Sequence, residues 1–200
     1  MRNAPRRSSP NRWNAVLACS PSTTCADKLV NELAPRIFRR PLTTDEQTAY
    51  RGVARGTTGG RTVTEGMEVA LAAMLSSPQF LYRSELGNAS GGAYKLDGYE
   101  MATFMSYTFT GSTPSTDLLA AAGRGDLNTV AGVRQQAALL LNSENTKLLL
   151  GDFVNRWLGT EQLEIKEKTG VANFATLAND MKLDVGLNLA QAMLSSGSTF

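Results

Sequence analysis

Thr62-Val63-Thr64-Glu65-Gly66-Met67-Glu68-Val69-Ala70-Leu71-Ala72-Ala73-Met74-Leu75 decides the fold class. Thr62 followed by Glu65 has the form of a capping box. The hydroxyl accepts from a backbone N–H of the first turn, and the carboxylate reaches back to the chain before it. Met67, Ala70, Leu71, Met74 and Leu75 then fall at i, i+3, i+4, i+7 and i+8, the apolar stripe of an amphipathic helix.

The same signals recur on both sides. Upstream, Leu29, Val30, Leu33, Ile37 and Phe38 mark the buried side of a helix over 26–40, with Pro35 predicting a kink or restart. Thr43-Thr44-Asp45-Glu46 is another capping box and opens a helix to about Arg55. Ser76-Ser77-Pro78 is a turn into one or two helical turns over 79–85. Downstream, Asp97 and Glu100 form a cap and its N3 partner, with Leu96 and Met101 placed as a hydrophobic staple. Thr113-Pro114 starts the next helix, with Pro at the first helical position. Asn128 caps a helix whose buried face is Val130, Val133, Ala137, Leu140 and Leu141. Ser143 caps one in which Leu149, Phe153 and Trp157 line up at i+4 steps and are expected in the core. Residues 159–170 read as a charged loop. A last helix over 177–195 carries Leu177, Met181, Val185, Leu189 and Met193 on one stripe. No segment shows sustained period-two alternation. All-α is therefore the expected fold class, an orthogonal bundle of about 8–9 helices in two units.

The organisation read from the chain is a disordered basic tail over 1–20, a helical unit over 21–86, a small polar linker over 87–95, and a second helical unit over 96–200. The ending Gly197-Ser198-Thr199-Phe200 reads as a loop entering another element, so the second unit is expected to be truncated. Arg2, Arg6, Arg7 and Arg12 all precede the first acidic residue, Asp27, but Pro5 and Pro10 oppose a helix there. The net charge of +2 does not point to nucleic acid. No apolar run approaches the ~20 residues that span a bilayer. Leu17-Ala18-Cys19 has the look of a lipoprotein signal end but lacks the apolar core that should precede it.

The chain contains 0 His. That removes a His-ligated zinc or haem, a Ser-His-Asp triad and imidazole general-base chemistry from this sequence. No carboxylate cluster has metal-site form, and no phosphate-binding or dinucleotide fingerprint is present. The expectation is no cofactor and no metal within the chain. Cys19 and Cys25, with Pro21 between them, are candidates for a small disulfide loop, which would point to an oxidising compartment. The alternative is two unrelated buried thiols in a cytosolic protein.

Three stretches together resemble a known family. They are Phe38-Arg39-Arg40-Pro41-Leu42-Thr43, Ser77-Pro78-Gln79-Phe80-Leu81-Tyr82-Arg83, and Leu96-Asp97-Gly98-Tyr99-Glu100-Met101-Ala102 running into Ser106-Tyr107. They look like planctomycete-type exported proteins carrying domains of unknown function 1595, over about 21–86, and 1592, from about 94 to the end. Pro114 to Ala122 and Phe153 to Gly159 also fit the second, and Cys19 and Cys25 fit a cysteine pair that recurs just before the first. The chain departs from the pattern at Thr108-Phe109-Thr110-Gly111, where an aromatic run is common, and at Asp184, where Glu is common. The resemblance implies a larger extracytoplasmic protein, periplasmic or at the cell surface, whose relatives often carry an upstream c-type cytochrome domain. Haem would then belong to a domain outside this chain, and the partners would be other domains of the parent protein.

Several residues are candidates for chemistry, each set against a structural role. Asp97 and Glu100 pair as carboxylates, but already serve as cap and N3. Arg83, with Glu85, is a candidate polar site or an ion pair. Tyr107 is a candidate phenolic acid or electron relay, or simply a buried tyrosine. Trp157 beside Arg156 is a candidate stacking platform for sugar or a docking surface, or core. No residue is assigned as catalytic. The expected function is a non-catalytic scaffold or interaction module. The alternative is part of an exported oxidoreductase, or another enzyme, whose active site other segments complete.

Overall fold

The computed structural model describes residues 11–90, 92–165, 168 and 170–195. It divides into two compact units, Met1–Glu100 and Met101–Phe200. The elements are helical except for one short hairpin, as the capping and periodicity predict.

In the first unit, α1 (Asn11–Leu17) is followed by α2 (Thr23–Lys28), a π-helical turn (Leu29–Leu33) and α3 (Ala34–Phe38). The Ala34 N–H donates to the Leu29 carbonyl, five residues back. This widened turn directly precedes Pro35, which has no N–H and would crowd a regular α-turn. The expected kink thus takes the form of a π-turn. Then come α4 (Thr44–Ala54), α5 (Val63–Leu75) and α6 (Pro78–Leu81). Both predicted capping boxes are made. Thr43 and Glu46 bond reciprocally, and so do Thr62 and Glu65.

The core of this unit gathers Trp13, Leu17, Leu29, Val30, Ile37, Phe38, Leu42, Met67 and Met74. Each large buried side chain contributes about 1.5–3 kcal/mol of transfer free energy. A Cβ on Gly66 would run into the carbonyl oxygens of Val53 and Ala54, so α4 and α5 meet at backbone contact. Arg39 ends α3 in the left-handed region, at φ 57°.

The second unit holds most of α7 (Gly98–Thr110), then α8 (Thr116–Gly123), a 3-10 turn (Asp126–Asn128), α9 (Val130–Leu141), α10 (Glu144–Leu158), a 3-10 turn (Thr160–Ile165) and α11 (Phe174–Leu194). Here α10 and α11 pack on each other through small residues. A Cβ on Gly151 would lie 3.3 Å from the Gly186 backbone, and one on Gly186 would lie 2.8 Å from the Gly151 carbonyl oxygen. Ala178 and Ala190 continue the buried row of α11, and Val154 and Asn155 that of α10.

Several expectations are corrected. Residues 11–17 are helix rather than tail, because Trp13 and Leu17 stand one turn apart and are buried together. Residues 1–10 of the expected tail lie outside the described residues. The helix expected over 26–40 starts at Thr23, where Ser22 accepts from Cys25 N–H, and ends at Phe38. From Tyr82 the chain is extended rather than helical. Within 87–95, β1 (Asn88–Ser90) pairs antiparallel with β2 (Ala93–Lys95), too short for an alternation to be visible in the sequence. Ser115, not Thr113-Pro114, opens α8, and Thr129 rather than Asn128 caps α9, since each hydroxyl accepts from a first-turn N–H. The 159–170 loop contains a 3-10 turn, and the last helix begins at Phe174. Val130 is 70% exposed and no residue of α9 is fully buried, while Val133, Ala137 and Leu140 of its predicted core face are half-buried.

Candidate functional site

The predicted carboxylate pair comes together as a cap. Asp97 Oδ1 accepts from the N–H groups of Tyr99 and Glu100, both at 2.8 Å, and Glu100 Oε2 accepts from Asp97 N–H at 3.0 Å. Glu100 does more than the sequence suggests. It also accepts from the N–H groups of Leu86 at 2.9 Å and Gly87 at 3.1 Å, fixing the chain that enters the hairpin to the start of α7. A carboxylate holding this many backbone donors is an anchor, and it has little lone-pair capacity left for a reacting proton.

Other strongly bonded charges in the first unit are also architectural. Glu46 receives both terminal nitrogens of Arg40 at 2.8 Å. The Arg40 guanidinium holds the Glu46 carboxyl down to about 2, with the Thr43 bonds helping. Arg55 and Arg51 lower Asp27 in the same manner. Arg39, 4% exposed, donates to the carbonyls of Gln79, Phe80 and Tyr82, so a buried cation closes the end of α6 and the extended chain beyond it. The sequence does not reveal this clamp, because the accepting carbonyls lie 40 to 43 residues further along the chain. Arg83 and Glu85 are both exposed. The Cys19–Cys25 pair is bonded, with Cα atoms 5.7 Å apart.

In the second unit, Tyr107 is half-buried on α7. Trp157 is 72% exposed, Phe153 55% and Leu149 37%. The i+4 row expected in the core therefore faces outward. The helix turns its small and polar side, Thr146, Gly151, Val154 and Asn155, inward instead. Leu149 and Phe153 line a cleft of about 470 Å³ with Phe109, Leu141, Leu150 and Leu194. Asp152 and Arg156, paired at 2.8 Å, also border it. The Thr146 hydroxyl is already spent on the Leu140 carbonyl, at 2.6 Å. The cleft thus offers apolar contact with one ion pair beside it. No group of three or more potential metal ligands occurs among the described residues.

Residues 25–85 match the model of a protein of unknown function, DUF1595, and residues 96–200 match that of a second, DUF1592. The second match covers more than half of the chain. The chain belongs to the DUF1592 family. The two domains lie in the order that the FRRPLT, SPQFLYR and LDGYEMA stretches suggest. No curated protein and no solved structure matches the chain. The cleft falls wholly within the DUF1592 part, as do Tyr107 and Trp157, whereas Arg39 and Arg83 belong to the DUF1595 part. Sequence reasoning missed the cleft although it had the row Leu149, Phe153, Trp157. The overlooked signal is the row of small residues Ala178, Gly186 and Ala190 in α11, which invites a close helix partner and turns the large side chains away.

Proposed function

We propose that this DUF1595–DUF1592 chain is a non-catalytic interaction module of a larger exported bacterial protein, acting beside c-type cytochrome domains of the same parent. The observation that carries this reading is the outward apolar row of Leu149, Phe153 and Trp157, continuous with the cleft on the second unit. Isolated exposed apolar residues are ordinary, but a contiguous set of large ones marks a contact surface. Aromatic side chains are the usual anchors of such contacts. The carboxylates that acid–base chemistry would use are meanwhile occupied as helix caps. Extracytoplasmic location is supported by the cysteine pair. No helix among the described residues is long and apolar enough to cross a membrane. With 0 His and no CxxCH, the chain has no means of attaching a c-type haem, which would reside in other domains.

The test uses the parent protein's remaining domains, purified and mixed with this chain. Association should be measurable by titration calorimetry and should fall at least roughly tenfold in Phe153→Asp, since a buried aromatic anchor is worth 2 kcal/mol or more. Equal affinity of the variant, or turnover by the chain alone, would sink the proposal.

The second reading, an enzyme completed by other segments, draws on the size of the cleft, which lies within the ~300–1,000 Å³ of small-molecule sites. In the complete protein, Tyr107→Phe that abolished an activity without loss of stability would favour it.

A further inference from the structure

Helix α1 is attached to the first unit by little. Its buried residues are Trp13 and Leu17, which share one apolar cluster with Cys25, Leu29 and Val30. Between described residues, no hydrogen bond or ion pair joins α1 to another helix. The chain turns sharply at Ala18, with φ 50°, and the next residue is Cys19, bonded to Cys25 in α2. Among the described residues, two apolar side chains and one covalent bond therefore hold the helix. The two cysteines are unequal in access: Cys25 is 0% exposed, whereas Cys19 is half-buried.

We infer that the Cys19–Cys25 disulfide is a redox-sensitive clasp, whose reduction by a dithiol releases α1, with Trp13 and Leu17, from the core of the first unit. A thiolate of the reductant attacks Cys19 Sγ, the sulfur of the more exposed cysteine. The S–S bond breaks, and Cys25 Sγ leaves as a thiolate and takes up a proton. The second thiol of the reductant then closes on its own mixed-disulfide sulfur, loses its proton and frees Cys19 as a thiol. The cysteine pair gains two electrons and two protons, and the dithiol becomes a cyclic disulfide. With the short loop open, α1 is held only by its two apolar side chains, and the effective concentration that kept them docked drops. The apolar surface that they cover in the cluster then becomes available. This device is independent of any role for the second unit.

The test uses the full chain carrying Trp157→Phe, which leaves Trp13 as the sole tryptophan. Treatment with excess dithiothreitol should red-shift its emission and speed tryptic cleavage after Arg12 on the order of tenfold. Far-UV circular dichroism should lose no more than one short helix. Cys19→Ser should show the same emission and cleavage without reductant. Blue emission and an intact Arg12 bond, with both thiols alkylated by mass, would overturn the inference. So would a disulfide that resists the dithiol in the folded protein, or loss of most of the helical signal on reduction, because the bond would then be a general staple and not a clasp.

Discussion

The first unit fills its interior with Leu29, Phe38, Met67 and Met74, whereas α10 and α11 of the second meet through Gly151, Gly186, Ala178 and Ala190 and keep Phe153, Trp157, Met181 and Met193 outside. Both patterns satisfy helical periodicity. The first draws its stability from apolar area removed from water. The second draws it from close backbone approach and dispersion, leaving its large side chains uncommitted. A helix that spends its big apolar residues on the core has none to offer a partner.

The contrast is most exposed to failure at the large residues. Leu29→Ala should cost about 2–5 kcal/mol, read from the denaturant midpoint. Phe153→Ala, though it deletes a larger side chain, should stay within about 0.5 kcal/mol. Similar losses at both positions would erase the distinction between the units.

A smaller effect sharpens it from the other side. Gly186→Ala should destabilise the second unit by about 1–3 kcal/mol, because the new methyl meets the Asn155 side chain and the Gly151 carbonyl. Normally, alanine in place of glycine stabilises a helix by roughly 1 kcal/mol. A gain in thermal midpoint would show that the helices do not touch there.

The smallest expected effect concerns charge. Glu46 is held near 2 in the folded first unit against an ordinary 4.5. A depressed carboxyl stabilises fully above its unfolded value and loses that contribution as pH falls from about 4.5 toward 2. Discounted for its partial exposure, the effect is about 1–2 kcal/mol. Glu46→Gln should remove this part of the acid sensitivity, seen as a flatter plot of unfolding midpoint against pH.

The sequence made the helix starts at Thr43, Thr62, Asp97 and Ser143 legible, because a cap is a contact among residues three apart and needs no tertiary knowledge. It also made the all-helical class legible. Hidden were the features that depend on distant partners. Periodicity identifies two faces of α10 but does not say which one a neighbour covers, and the size rule favoured the wrong one. The second role of Glu100 depends on Leu86 and Gly87 returning to it across the hairpin. The placement of Trp13 and Leu17 was obscured by the arginines and prolines just before them. Among the candidate sites, Asp97 and Glu100 were legible as a pair, while the cleft emerged only from residues spread over α7, α9, α10 and α11.

Arg39 bears on the order in which the protein is made. Its guanidinium donates to the nearby Ile37 carbonyl and to carbonyls that lie 40 to 43 residues later in the chain. At ~5–20 residues per second, a ribosome needs roughly 2–9 s to supply them. During that interval α3 ends in a cation without its final partners, and burying it would carry a desolvation cost. The full set of hydrogen bonds from Arg39 to the end of α6 therefore forms only after Tyr82 has been made. That is a built-in delay between the synthesis of α3 and the completion of its hydrogen bonds.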